Sequence, residues 1–145
     1  MFKDVLVAVD DSPPSMGALE LAIDLAKSLG SALTIVHVID PGSAASTVDA
    51  AGATAIDIEL EELEDAGKGL LEESAARAKA AGVEVSTLLR DGPPAPTILD
   101  SAKRSNAEAI VIGTHTRTSV ARFFLGSTAE AVVRQSPVPV LVRRG

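Results

Sequence analysis

Residues 107–134 read AEAIVIGTHTRTSVARFFLGSTAEAVVR, and the pattern of this stretch indicates the fold class. The run Ala109–Ile112 is apolar at every position, as in a strand that is covered on both faces of a sheet. Gly113 lets the backbone turn sharply as this strand ends, and Gly126–Ser127 opens a short helix over Ser127–Arg134. A buried strand, a loop and a helix in this order are typical of a parallel sheet with crossover helices.

The rest of the 145 residues repeats this alternation of strand and helix. Four further β-branched runs predict the strands Val5–Val9, Ala32–Ile39, Val83–Leu89 and Val138–Val142. Apolar residues at helical spacing predict the helices Ser15–Leu29, Ile56–Ala81 and Thr97–Arg104. Five strands and four helices in a single domain, residues 1–145, predict an α/β fold: a doubly wound five-stranded parallel sheet with helices on both faces.

Local signals mark where these elements end. Ser12 followed by Pro13 is typical of a helix N-cap and first turn, and Gly30 is typical of a helix stop. The third strand alternates between apolar and polar residues, which favours a place near a sheet edge. The last strand is expected at an edge too, because Pro137 and Pro139 restrict its hydrogen bonding to one side.

The composition excludes several classes of protein. There is no Cys, which rules out disulfide scaffolds, thiolate metal sites and Cys nucleophiles, and two His are too few for most zinc centres. Three Phe without Trp or Tyr make a base-stacking platform improbable, and a net charge of −7 argues against nucleic acid as a partner. The apolar runs fall short of the roughly 20 residues of a membrane span, so we expect no membrane insertion. The first residues do not match a signal peptide, so a cytoplasmic location is expected.

The charge pattern and the loops indicate where a ligand would bind. From Gly113 onward the chain carries five Arg and one acidic residue, which suits a small anion. In a doubly wound sheet, ligands bind at the carboxyl ends of the strands. There, Gly126–Ser127 at a helix start offers backbone N–H groups to a phosphate. Ser127 and Glu130 also match a capping box, the plain structural alternative. After the second strand, the small residues of Pro41–Ala53 predict a mobile loop.

Several segments together resemble single-domain universal stress proteins over nearly the whole chain. The matching segments are VLVAVDDS, IVHVID, RDGPPAPTIL, AEAIVIGTHTRT and FFLGSTAEAVVRQSPVPVLV, in family order. The nucleotide-binding branch of that family carries G-x2-G-x9-G-[ST]. Gly113, Gly126 and Ser127 match this pattern, whereas Thr116 replaces its second glycine. The resemblance implies a Rossmann-like fold of the adenine nucleotide alpha hydrolase type, with strand order 3-2-1-4-5.

The resemblance also implies a ligand and a site. The expected ligand is ATP, with AMP or ADP as alternatives, and Mg²⁺ held by its phosphates near Asp10. The base and ribose would lie against Ala8, Val9, Asp10, Val38 and Ile112, and the phosphates against Gly113, His115, Thr116, Arg117, Gly126, Ser127 and Thr128. For Asp10 the alternative is an acid at a helix start. His37, inside an apolar strand, favours a half-buried structural role.

The function that this resemblance implies is a dimeric, nucleotide-responsive regulator or sensor in the stress response. The homodimer would form through the strand Val138–Val142, and a protein partner would read the state of the dimer. No motif supplies a general base, so the chain is expected to bind ATP with at most slow hydrolysis. A nucleotide-free dimeric adaptor of the same fold stays open because of Thr116. A flavodoxin-like electron-transfer module is disfavoured, because the chain has no Trp or Tyr to stack a flavin.

Overall fold

A computed structural model describes residues 2–40, 53–114 and 126–144, with the backbone alone for residues 53–59. The five strands are β1 (Asp4–Ala8), β2 (Ala32–Ile39), β3 (Val85–Asp91), β4 (Ala109–Gly113) and β5 (Val140–Arg143). The four helices are α1 (Pro13–Leu29), α2 (Ala53–Ala80), α3 (Pro94–Arg104) and α4 (Ser127–Gln135). Of the predicted loop 41–53, only the last residue, Ala53, is described, as the start of α2, and residues 41–52 lie outside the described residues.

The strands form one parallel sheet in the order β3-β2-β1-β4-β5, as predicted. β1 occupies the centre, where Val7 pairs with Ile35 of β2 on one side and with Val111 of β4 on the other. The order of the strands reverses between β1 and β4, because β2 and β3 extend in one direction and β4 and β5 in the other. Both edges carry the strands that the sequence placed there, β3 and β5.

Two apolar layers enclose the sheet, and strand alternation decides which residues enter each layer. One layer packs α1 and α2 against side chains such as Val7, Ile35 and Val111. The other packs α3 and α4 against side chains such as Leu6 and Ile110. All five of these side chains are fully buried. The sheet is therefore covered on both faces, which explains why its central strands are apolar at successive positions.

Six predicted boundaries, the starts of α1, α2, α3, β3 and β5 and the end of β3, were wrong by two or three residues, and three of them have a clear local reason. α3 begins at Pro94 instead of Thr97, because prolines are tolerated in the first turn of a helix. β3 begins at Val85 instead of Val83, because the N–H of Val83 bonds the carbonyl of Ala78 and so closes the end of α2. β5 begins two residues later than predicted, at Val140. There, the Ser136 hydroxyl both accepts from Val138 N–H and donates to Val138 O, which makes a turn.

Candidate functional site

A cavity of about 200 Å³ opens at the carboxyl edge of the sheet, where the strand order reverses between β1 and β4. Its volume is far larger than the roughly 30 Å³ that one water molecule takes in the liquid. The space therefore suits an organic ligand better than a lone ion. The walls come from the ends of β1, β2 and β4 and from the first turns of α1, α3 and α4. This is the position at which open α/β sheets bind their ligands.

The turn from β1 into α1 is held by a short network of hydrogen bonds. Asp10 N–H donates to Ser15 Oγ over 2.6 Å, and Ser12 N–H donates to Asp10 Oδ1 over 2.7 Å. The Ser12 hydroxyl accepts from Ser15 N–H at 3.4 Å, so Ser12 is the N-cap of α1, as predicted. This network fixes Asp10 at the cavity wall, and both Ser12 and Ser15 line the same cavity.

Gly113 is required by close packing and not by a special backbone angle. A Cβ atom at this position would lie 2.4 Å from the carbonyl oxygen of Pro14 and 3.1 Å from the nitrogen of Ser15. Among the described residues, the glycines with positive φ are Gly30, Gly82 and Gly92. The predicted reason for Gly113, a sharp turn, was therefore wrong. The end of β4 instead lies directly against the first turn of α1, and only a residue without a side chain fits between them.

The start of α4 forms the polar end of the cavity. Gly126 is the N-cap residue, and its carbonyl accepts from Glu130 N–H at 2.9 Å. The capping box that was the structural alternative for Ser127 and Glu130 does not form, because Ser127 is already inside the helix and Gly126 has no side chain to cap with. The Glu130 carboxylate pairs instead with Arg134, one turn further on, at 2.8 Å. Gly126, Ser127 and Thr128 line the cavity, so the N-terminus of α4, whose first N–H groups have no partner within the helix, borders it.

The opposite end of the cavity is apolar. Val36 and Val38 of β2 and Ile112 of β4 form its floor, and Pro94 and Ile98 of α3 form its wall. The sequence did not single out Val36, Pro94 or Ile98. Apolar residues in a strand or on a helix face have the same pattern whether they fill a core or line a cavity. The segment RDGPPAPTIL, which carries part of the family resemblance, contains both Pro94 and Ile98, but no site was predicted there.

His37 has the structural role that the sequence favoured. Its ring nitrogen Nδ1 lies 2.7 Å from the carbonyl oxygen of Val9, and because a carbonyl only accepts, Nδ1 donates. The ring packs under α2, where a Cβ on Gly67 would approach His37 Cδ2 to 2.9 Å. His37 therefore secures the end of β1 from the side of the sheet opposite to α3 and α4.

The structure gathers nine of the twelve predicted site residues around this one cavity. They are Ala8, Val9, Asp10, Val38, Ile112, Gly113, Gly126, Ser127 and Thr128. The other three, His115, Thr116 and Arg117, lie outside the described residues. Within the part of the chain that the structure describes, no cluster of three or more His, Asp or Glu is arranged to hold a metal ion. Nor is any helix among these residues both long and apolar enough to cross a membrane.

The protein is thus a doubly wound α/β domain with a cavity at the switch point of its sheet. Comparison with known proteins then gives the family. The model of the universal stress protein family matches residues 1–144, and the chain belongs to this family. The universal stress protein YxiE of Bacillus subtilis is 32% identical over 148 residues, which cover 99% of this chain and 100% of YxiE.

Two solved structures of universal stress proteins contain nucleotides. One, in complex with cAMP, is 26% identical, with a TM-score of 0.69, and the match covers 99% of this chain and 97% of that one. The other, from Archaeoglobus fulgidus in complex with dAMP, is also 26% identical, with a TM-score of 0.66 and coverage of 98% of both chains. Proteins similar to this chain over its whole length thus include binders of adenine nucleotides.

Proposed function

We propose that this chain binds an adenine nucleotide, ATP in the first instance, in the cavity at the switch point and acts as a nucleotide-responsive regulator. One observation carries the proposal: nine residues from separate segments of the sequence line a single cavity that is apolar at one end and bounded by a helix N-terminus at the other. An adenine base needs the first kind of surface and phosphates need the second. The two nucleotide complexes of similar proteins support the same ligand class.

The base would lie between β2 and α3, against Val38 and Ile98. Val36 O accepts from Val9 N–H at 2.9 Å, and peptide groups of a parallel strand alternate between its two neighbours. The N–H and C=O groups of Val38, two residues after Val36, therefore also point toward the β1 side of β2. Since β1 has already ended at Ala8, these groups would meet the edge of the base. The phosphates would lie at Gly126–Thr128, where α4 offers its unsatisfied N–H groups and the positive end of its dipole.

The residues fit a magnesium ion only together with the phosphates. Asp10 supplies one carboxylate at the cavity wall, and Mg²⁺ is usually bound by one or two carboxylates together with substrate phosphates and water. Mg²⁺ would therefore enter with the nucleotide. AMP, which has fewer phosphate oxygens, should depend less on Mg²⁺ than ATP does.

Binding should be tested with nucleotide-stripped protein by calorimetric titration and thermal unfolding, using ATP, ADP and AMP with and without Mg²⁺. ATP at about 1,000 times its Kd should add about 4 kcal/mol to the free energy of unfolding. Gly126→Asp is the decisive variant, because Asp is a good N-cap and Gly126 has ordinary backbone angles, φ −62° and ψ 157°. The variant should keep or gain stability while its carboxylate repels the phosphates.

The matched control is Gly69→Asp, the same change at an exposed position on α2 with open space around it. It should leave the affinity for ATP unchanged. A wild-type protein that takes up no nucleotide would instead support the dimeric adaptor. Regulation is tested by oligomeric state and hydrogen exchange with and without ATP. If neither changes, ATP is not a signal for this protein.

A further inference from the structure

An ion-pair cluster joins the edge strand β3 to α3 next to the apolar end of the cavity. Arg90 Nη1 lies 2.7 Å from Asp100 Oδ2 and 3.0 Å from Ser101 Oγ. Arg104 Nε approaches the same Asp100 oxygen at 2.7 Å. The side chains of Arg90 and Asp100 are only 30% and 39% exposed, whereas that of Arg104 is 73% exposed. Arg90 is therefore the partly buried member that connects the strand to the helix.

The cluster continues into the first turns of α3. Ser101 is fully buried, and its hydroxyl accepts from Arg90 and donates to the carbonyl of Thr97 at 2.7 Å. Ile98, one turn before Ser101, is 3% exposed and lines the cavity. On the strand side, Arg90 stands in register with Val38 of β2, which lines the cavity as well. Arg90 thus links the floor of the apolar end to its wall.

The turn before α3 leaves this wall little freedom. Gly92, with φ +143°, donates its N–H to Ile39 O at 2.9 Å, and a Cβ on Gly92 would lie 2.7 Å from Thr97 Oγ1. The loop before α3 is therefore fixed to β2 through Gly92, and α3 itself is held at Ser101 by Arg90. The hydrogen bonds from Arg90 and Arg104 also hold the pKa of Asp100 below its ordinary value, so the carboxylate is charged at neutral pH.

We infer that Arg90 is a positioning residue for the base end of the cavity: through Asp100 and Ser101 it sets the distance between the α3 wall and the floor on β2. This inference rests on the proposed nucleotide function. Arg90 is not among the residues that line the cavity, whereas Ile98 and Pro94 are. The effect of Arg90 on binding would therefore pass through the positions of Ile98 and Pro94. Loss of Arg90 should loosen the contact with the base and leave the phosphate end on α4 unchanged.

The test separates the two ends of the ligand. Arg90→Met keeps the aliphatic stem and removes both hydrogen bonds. ATP should bind about tenfold more weakly to this variant, a loss of about 1.4 kcal/mol, because the α3 wall would no longer be held against the base. Inorganic tripolyphosphate, which has no base, should bind as in the wild type. The affinity for 1,N6-etheno-ATP, which has a bulkier base, should fall less in the variant than the affinity for ATP, because a looser wall leaves more space for that base.

Arg77→Met is the matched control. Arg77 also pairs with two carboxylates, Glu73 at 3.5 Å and Glu20 at 4.0 Å, but it lies on α2 across the sheet from the α3 wall. This control should change none of the three affinities. Asp100→Asn, which keeps the shape of the side chain, should weaken ATP binding in the same selective way to a smaller extent, and it serves if Arg90→Met folds poorly.

Methyl NMR of isoleucine-labelled protein without ligand gives an independent readout. The signal of Ile98 should shift in Arg90→Met and not in Arg77→Met. An unchanged Ile98 signal, equal losses for ATP and tripolyphosphate, or an unchanged ATP affinity would each overturn the role of Arg90. A wild-type protein that binds neither ATP nor tripolyphosphate would overturn the proposed function itself, and this inference with it.

Discussion

Replacing Gly113 by Ala tests the close contact between β4 and α1 directly. The added Cβ would lie 2.4 Å from the carbonyl oxygen of Pro14 and 2.7 Å from its carbonyl carbon. Favourable contacts between such atoms are about 3.5 Å or longer, so the two segments must separate by about 1 Å. Both obstructing atoms belong to the backbone of a proline at the start of a helix, where no side-chain rotation can relieve the clash.

This overpacking should lower the free energy of unfolding by about 1–3 kcal/mol. In urea, where small proteins lose about 1–3 kcal/mol per molar, the midpoint should fall by roughly 1 M. The displacement also passes into the hydrogen bond between Asp10 and Ser15, so nucleotide affinity should fall with stability. Urea unfolding followed by circular dichroism and ATP titration at a concentration where the variant is folded measure both effects.

Gly69→Ala is the control with the opposite expected sign. Gly69 lies in α2 with nothing within 4 Å of its Cβ position, so Ala there should stabilise the protein by roughly 0.5–1 kcal/mol. The packing argument for Gly113 is refuted if Gly113→Ala unfolds at the same urea concentration as the wild type while Gly69→Ala unfolds at a higher one.

Two further perturbations address the start and the end of the chain. Glu108 accepts N–H bonds from Lys3 at 2.9 Å and Phe2 at 3.0 Å, which hold its pKa below the ordinary 4.5. The stability that this lowered pKa adds is present above pH 4.5 and is lost as the pH falls through the pKa of the folded protein. Glu108→Gln should therefore show a smaller fall in urea midpoint than the wild type when the pH is lowered below 4.5. An equal fall in variant and wild type would contradict this role. Leu141 on edge strand β5 is 39% exposed, and Leu141→Glu should convert the proposed dimer to a monomer in sedimentation; Leu29→Glu, at the end of α1, should not.

The parallel sheet and the place of the site could be predicted from the residues for a physical reason, whereas the order of the strands was implied only by the resemblance to universal stress proteins. Runs such as Ala109–Ile112 are typical of strands covered on both faces, and a chain that alternates such runs with helices favours a parallel sheet. Parallel strands end at a common edge, so the residues that follow them meet there. The segments around Asp10, Val38 and Gly126 thus converge on one cavity although they are far apart in the chain.

What the sequence did not reveal depends on tertiary distances. The ion pair of Arg90 with Asp100 depends on the register of β3 against β2 and on the packing of α3. The spacing of residues along the chain predicts neither of these. The contact of Gly113 with Pro14 joins residues about a hundred positions apart and looks like a turn glycine when read locally. The capping-box motif would make Ser127 the N-cap residue, but the helix begins one residue earlier, so Gly126 is the N-cap and Ser127 is the first helical residue.

The central place of β1 in the sheet affects how this chain emerges from the ribosome. β1 pairs on one side with β2, which follows within 40 residues. On its other side it pairs with β4, where Val5 is in register with Ala109, about a hundred residues later in the chain. A nascent chain that has completed α3 contains β1, β2 and β3, yet the side of β1 that pairs with β4 is still open. Open apolar edges are sites of aggregation, and non-local pairings of this kind form slowly. The edge of β1 therefore stays open until β4 has been added, and until then it exposes the unfinished chain to aggregation.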